Sequence, residues 1–165
     1  MEQHSLIADR VLNDMTDGVM TINLDGRIIT YNQAAARILG ISPEEALERA
    51  FGELFLLQEE NDDFNQTILD AIYESSVSHN RVVPFNRHGE RLTLALTTNF
   101  LKAEDGSGRR MGVIAVFSDI TELQALQETE VRLAAELRQK HRELQDAYLK
   151  TEEGNQQLQA ALKKV

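Results

Sequence analysis

Apolar positions change their period several times along this chain, and each change predicts an element. Ile7, Val11 and Met15 step by four, with Leu12 widening the stripe, which predicts a short helix over Ser5–Met15 with Ser5 as its N-cap. From Gly18 the period falls to two. Met20, Ile22 and Leu24 alternate with Thr21 and Asn23, Asp25-Gly26 supplies a turn, and Arg27–Tyr31 returns as the second arm of a hairpin. Asn32 then caps a helix that runs to Gly40. Ser42-Pro43-Glu44-Glu45 opens another, with Ser as N-cap, Pro at the first helical position and Glu45 closing a capping box. That helix is expected to end near Arg49, with a further helical piece around Gly52–Leu57. Asp62–Ser75 carries Phe64, Ile68, Leu69 and Ile72 at helical spacing, with acids in its first turn. Alternation returns in Val82–Phe85, a turn at His88-Gly89, and Arg91–Leu101, where Leu92, Leu94 and Leu96 face one way. The loop Glu104–Arg109 leads to a last strand, Met111–Phe117.

Two strands, several short helices and then three meandering strands predict an α+β fold with an antiparallel sheet. In the last strand Val113, Ala115 and Phe117 share one face while Ile114 and Val116 share the other. Both faces are apolar, so both should be covered. The helices between Asn32 and Ser75 suit one face; the Ser5–Met15 helix or a second subunit suits the other.

From Thr121 to Val165 there is no proline and one glycine, and the pattern predicts one long helix. Leu123, Leu126, Glu130, Leu133 and Leu137 follow a heptad rhythm. A second run continues through His141, Leu144, Tyr148, Thr151, Asn155, Leu158, Leu162 and Val165. Consecutive steps of four at Leu133, Leu137 and His141 join the two as a stutter. Tyr148 and Asn155 fall at a positions and Leu144 and Leu158 at d, and an a-position Asn favours a parallel dimer in one register. The seam is still in register at the last residue, which suggests an output domain beyond residue 165.

Charge and composition narrow the function. Lys and Arg number 17 against 27 Asp and Glu, a net charge of −10 with no basic block, so nucleic-acid binding by phosphate neutralisation is not expected. The absence of Cys excludes disulfides, thiolate metal sites and cysteine nucleophiles. No signal peptide opens the chain and no stretch has the apolar length of a membrane span, so a cytoplasmic location is the default expectation. There is no Gly-rich phosphate loop, nucleophile elbow or convincing carboxylate pair, which argues for a regulatory module rather than an enzyme.

The strand Met111–Phe117 meets the rod at Phe117-Ser118-Asp119-Ile120-Thr121-Glu122, almost without a linker. Asp119 and Glu122 have capping-box spacing, with Asp119 in the cap position. Together with Asp17-Gly18-Val19, Asp25-Gly26, Tyr31-Asn32-Gln33-Ala34-Ala35, Gly40-Ile41 and Arg87-His88-Gly89-Glu90, this order of pieces resembles a PAS domain followed by a signalling coiled coil. Asp119-Ile120-Thr121 matches the family's DIT junction. The resemblance implies a five-stranded antiparallel sheet with helices on one face, divided as an N-terminal cap helix (1–16), the PAS domain (17–119) and a coiled-coil helix (120–165). It also implies a homodimer in which Asp119, Ile120, Thr121 and Glu122 transfer a signal to a C-terminal output enzyme, a histidine kinase or nucleotide cyclase.

The resemblance implies room for a ligand cavity, whose wall would be Ile22, Ile28, Phe55, Phe64, Ile68, Ile72, Leu94, Leu96, Val113 and Phe117, with Phe51 and Leu54 beside them; a plain core would contain the same residues, and a packed or small-cavity core is expected rather than a bound cofactor. No cofactor is predicted. The cysteine-linked photoreceptor classes of the family are excluded. A haem ligand is missing from the Asp62–Ser75 helix, and His79 just past its end reads as a loop histidine. Without Trp there is little aromatic surface for a flavin. The alternatives are a ligand-free dimerisation adaptor and a noncovalent haem or flavin sensor.

Overall fold

The computed structural model describes residues 2–74 and 79–163. Five strands form one antiparallel sheet: β1 (Gly18–Asn23), β2 (Ile28–Tyr31), β3 (His79–Arg87), β4 (Glu90–Lys102) and β5 (Arg110–Asp119), in the order β2-β1-β5-β4-β3. The last strand therefore lies at the centre, between β1 and β4. Ahead of the sheet is α1 (Glu2–Asp14). Between β2 and β3 come α2 (Gln33–Leu39), α3 (Pro43–Ala46), α4 (Phe51–Phe55), a single 3-10 turn (Glu59–Asn61) and α5 (Asp62–Tyr73). The chain divides into two compact units, residues 1–122 and 123–165, and the second consists of the helix α6 (Thr121–Lys163) beyond its first residues.

Local chemistry accounts for most of these boundaries. The β1–β2 turn is held by the Asn23 carboxamide, whose Oδ1 accepts the N–H groups of Asp25 (3.0 Å) and Arg27 (2.9 Å), while Gly26 takes a φ of +80°. Asn32 caps α2 by accepting from the Ala35 N–H, and Gly40 closes it in the left-handed conformation. Ser42 caps α3, with Pro43 at its first position.

Several boundaries differ from the pattern-based reading: α4 stops at Phe55 rather than Leu57, β3 begins at His79 rather than Val82, and three others have a clear physical setting. α1 starts at Glu2, which places Ser5 inside the helix rather than at its cap. α3 ends at Ala46, not near Arg49, because the chain from Glu48 onward pairs with β2. The Ile28 N–H donates to the Arg49 carbonyl, the Glu48 N–H to the Ile28 carbonyl, and the Phe51 N–H to the Gly26 carbonyl. These bonds satisfy an otherwise open sheet edge. α5 ends at Tyr73; the expected end at Ser75, like the seam position Val165, lies outside the described residues.

The core sits between one sheet face and α2–α5. Met20 and Ile22 of β1, Leu92, Leu94 and Leu96 of β4, and Ala115 and Phe117 of β5 point into it, against Ala35, Ile38, Phe51, Phe55, Phe64 and Ile68. The opposite face is less covered. Ile114 and Val116 are half-buried and Val82 is exposed. α1 does not close that face by burying its own stripe, because none of its residues is buried and Leu6, Ile7 and Val11 remain exposed.

Candidate functional site

Two places gather the residues singled out by sequence: the interior behind the sheet, and the β5–α6 junction. In the interior the structure brings the predicted wall together except Val113, which is buried outside the main core cluster. Ile22, Ile28, Phe55, Phe64, Ile68, Leu94, Leu96, Val113 and Phe117 are all buried, and Ile72 packs partly buried against them. Phenyl rings meet one another between these residues. Phe64 lies 5.8 Å from Phe55, 5.1 Å from Phe85 and 6.1 Å from Phe117 between ring centroids, and Phe55 stacks on Phe51 at 4.7 Å. Edge-on contacts of Phe64 with both Phe85 and Phe117 make it the ring that connects α5 to β3 and β5. A surface cleft of about 490 Å³ opens elsewhere, between Leu39 and Ile41, the 3-10 turn and the β3–β4 hairpin. Arg87 and His88 form its hairpin side. The Arg87 guanidinium donates to the Arg37 carbonyl (2.6 Å) and to Glu90 (2.6 Å), and His88 Nε2 lies 3.0 Å from the Gly40 carbonyl.

Buried polar groups frame the core. The Tyr31 hydroxyl donates to the Ile41 carbonyl (2.9 Å), and Asn61 accepts the Asn86 N–H (2.7 Å). Burial, reinforced by the Glu45 carboxylate, pushes the Tyr31 phenol well above its ordinary pKa. His79 is the first residue of β3 rather than a loop residue. Its ring is mostly buried, with Nε2 3.6 Å from the Glu74 carboxylate, too long for a hydrogen bond. Among the described residues no cluster of three or more His, Asp or Glu side chains has the geometry to hold a metal ion.

At the junction, β5 ends at Asp119 and α6 starts at Thr121. The expected Asp119–Glu122 capping box gives way to a tighter turn. The Asp119 carboxylate accepts the Thr121 N–H (3.0 Å) and the Thr121 hydroxyl. Asp119 itself is exposed and its carboxylate is engaged by Thr121; the tie to the sheet belongs to its neighbours. The Ile120 N–H donates to the Thr93 carbonyl (2.9 Å), and the Thr121 hydroxyl oxygen accepts the Thr93 N–H (3.0 Å). Both backbone groups of one β4 residue are thus satisfied by the first residues of the junction, extending the β4–β5 ladder into the helix start. Asp119 acts one step back, by orienting the Thr121 hydroxyl. Glu122 is exposed in the first turn of α6, where its charge complements the helix dipole.

Sequence reasoning missed three further anchors. Ser118 Oγ donates to the Asp17 carboxylate (2.8 Å). The Arg110 guanidinium donates to the carbonyls of Ala71 (2.5 Å), Ile72 (3.3 Å) and Glu74 (3.3 Å) at the end of α5, and lies 3.7 Å over the Phe100 ring. Thr93 had stood out only as an alternating polar position of β4. A basic residue opening a central strand was the one local signal for Arg110; the others depend on side chains brought together from distant parts of the chain.

The family model for the PAS domain matches residues 16–122, well over half of the chain. This chain belongs to the PAS domain family. It is 36% identical over 112 residues to the sensor histidine kinase WalK of Bacillus subtilis, covering 68% of this chain and 17% of that protein. It is 27% identical over 126 residues to the signal transduction histidine-protein kinase AtoS of Escherichia coli, covering 76% of this chain and 19% of that protein. The chain therefore spans less than a fifth of the length of these curated relatives. Its fold is similar to the crystal structure of a PAS domain from Colwellia psychrerythraea, with a TM-score of 0.56 and 15% identity over 72% of this chain and 98% of that one.

A PAS domain is a regulatory rather than a catalytic module, and this one is related to sensor histidine kinases of signal transduction. Beyond the PAS sheet, α6 is one uninterrupted helix in which no residue is buried. The seam leucines 123, 126, 133, 137, 144, 158 and 162, and Tyr148, are all exposed. Asn155 lies exposed among them. No helix among the described residues is long and apolar enough to cross a membrane.

Proposed function

We propose that this PAS domain is the relay module of a dimeric sensor histidine kinase, passing a change in the sheet through Ile120 and Thr121 into α6. The observation that carries this reading is the double hydrogen bond of the junction to Thr93. It joins the helix start to two adjacent strands, so a shift of β5 against β4 reorients the first turn of α6. The 43-residue length of α6 and its exposed leucine seam support a parallel coiled coil with a second copy, which would carry that reorientation to an output domain in cis. A histidine kinase is preferred to a nucleotide cyclase because both curated relatives named above are histidine kinases.

The phenyl rings that meet in the interior support a stimulus that acts without a bulky haem or flavin in the core, through a small ligand or a contact on the domain surface. The ligand-free adaptor is the second reading that this packing favours.

Thr121→Val keeps the shape of the side chain but leaves the Thr93 N–H without its partner, whereas Thr121→Ser retains the hydroxyl. In the full-length kinase, Thr121→Val should shift autophosphorylation at least about fivefold, the lower range of a coupling free energy between sites, and Thr121→Ser should stay near wild type. Asp119→Ala should shift it in the same direction by less. Wild-type phosphorylation in a folded Thr121→Val protein would overturn the relay.

A further inference from the structure

Asn32 does more than cap α2. Its side chain is almost fully buried, and every hydrogen-bonding capacity of the carboxamide is used. Oδ1 accepts the Ala35 N–H (2.9 Å), which is the cap, and also the Val19 N–H of β1 (2.9 Å). Nδ2 donates to the Leu12 carbonyl (2.8 Å) in the last turns of α1 and to the Asp17 carbonyl (2.9 Å) in the α1–β1 connector. Capping needs only the oxygen. The amide nitrogen is committed to α1 and its connector.

Asp17 continues the chain of contacts. Its carboxylate accepts the Ser118 hydroxyl (2.8 Å), and Ser118 lies in β5 next to Asp119 and the junction. The contacts thus run from Leu12 of α1 through Asn32 and Asp17 to Ser118 and the outlet, around the hydrophobic core rather than through it. α1 has no buried residue, so few apolar contacts hold it, and these polar bonds weigh heavily in fixing its last turns.

We propose that this polar chain couples α1 to the β5–α6 junction, making α1 a second input to the outlet alongside the sheet. The proposal rests on the reading of the junction as the outlet. Linkage requires the coupling to be reciprocal: whatever orders or displaces α1 biases the junction, and a change at the junction alters the protection of α1. That reciprocity allows a test without any stimulus or output domain.

Amide hydrogen exchange is measured by NMR on the 165-residue chain and two variants. Ser118→Ala removes only the hydroxyl that Asp17 accepts. Its expected result is at least about fivefold faster exchange at the amides closing α1, including the Met15 N–H bonded to Val11, although Ser118 makes no hydrogen bond to α1. Asn32→Asp keeps an oxygen for the Val19 and Ala35 amides, and with it the α2 cap, but turns both donated bonds into contacts between a carboxylate and carbonyl oxygens. It should speed exchange in α1 and also at Ile120 and Thr121.

Ser118→Ala exchange that rises in β5 while α1 stays at the wild-type rate would overturn the coupling. So would an Asn32→Asp chain with a loosened α1 and an unchanged junction. If Asn32→Asp fails to fold, Ser118→Ala decides alone. Failure here leaves the Thr121 phosphorylation result untouched, whereas failure of that experiment removes the outlet whatever α1 does.

Discussion

A methyl group at position 18 would lie 2.2 Å from the Phe117 ring, so glycine there is dictated by the ring rather than by backbone angles. Gly18 pairs with Phe117 across β1 and β5, and that ring is also the β5 end of the Phe64 contacts. Gly18→Ala must displace the Phe117 ring, an overpacking change that should lower stability by about 1–3 kcal/mol. Phe117→Leu in the same background should recover part of the loss. Urea unfolding midpoints of the two single variants and the double variant check this; simply additive losses would show that the ring is not seated on Gly18.

Tyr31 offers a residue-scale test of pH. Its phenol is neutral when protonated, and burial raises its folded pKa above the unfolded value of about 10. The unfolded chain therefore releases this proton first, so the Tyr31 contribution is complete below about pH 10 and is lost as pH climbs above it. Tyr31→Phe should be modestly less stable near neutrality, having lost the bond to the Ile41 carbonyl, by about 1 kcal/mol. It should also lack part of the alkaline decline. Urea midpoints measured on both sides of pH 10 check the sign; parallel curves for the two proteins would mean that the phenol titrates alike in both states.

Among the elements, α6 contrasts most with the rest. Its 43 residues would extend about 65 Å at the rise of an α-helix, with an apolar stripe and no buried residue. A helix with such a stripe gains most of its stability from a partner. Asn155 at an a position should restrict that partner to one second chain in one register, at a cost in stability. Asn155→Ile should therefore tighten self-association and admit higher oligomers. Sedimentation equilibrium of both proteins checks this. A wild-type chain that remains monomeric at high concentration would remove the coil.

Across the molecule as a whole, short-range interactions are written in the sequence and long-range ones are not. The β1–β2 hairpin, the Asn32, Gly40 and Ser42 caps and the alternation of β4 were legible because each is decided by residues a few positions apart. The convergence of Phe55, Phe64 and Phe117 was also legible, since alternation and helical spacing assign their faces. That their rings touch one another there was not, because periodicity says which way a side chain points and nothing about what lies opposite it. Asp119 illustrates the limit most clearly. Its spacing to Glu122 pointed to a capping box, but the competing bond to the Thr121 hydroxyl and the approach of Thr93 drew the turn tighter.

By itself the sequence determined the element order, the α+β class, the PAS resemblance, the leucine seam of α6 and the site of the junction, all of which rest on short-range periodicity, caps and turns. Only the tertiary structure decided that β5 is the central strand. Only it tied the junction to the sheet at Thr93, linked Ser118 to Asp17 and joined Asn32 to α1. Those bonds connect residues far apart in the chain whose meeting is fixed by sheet order and packing, and polar side chains carry no periodic signal of the partner they will find.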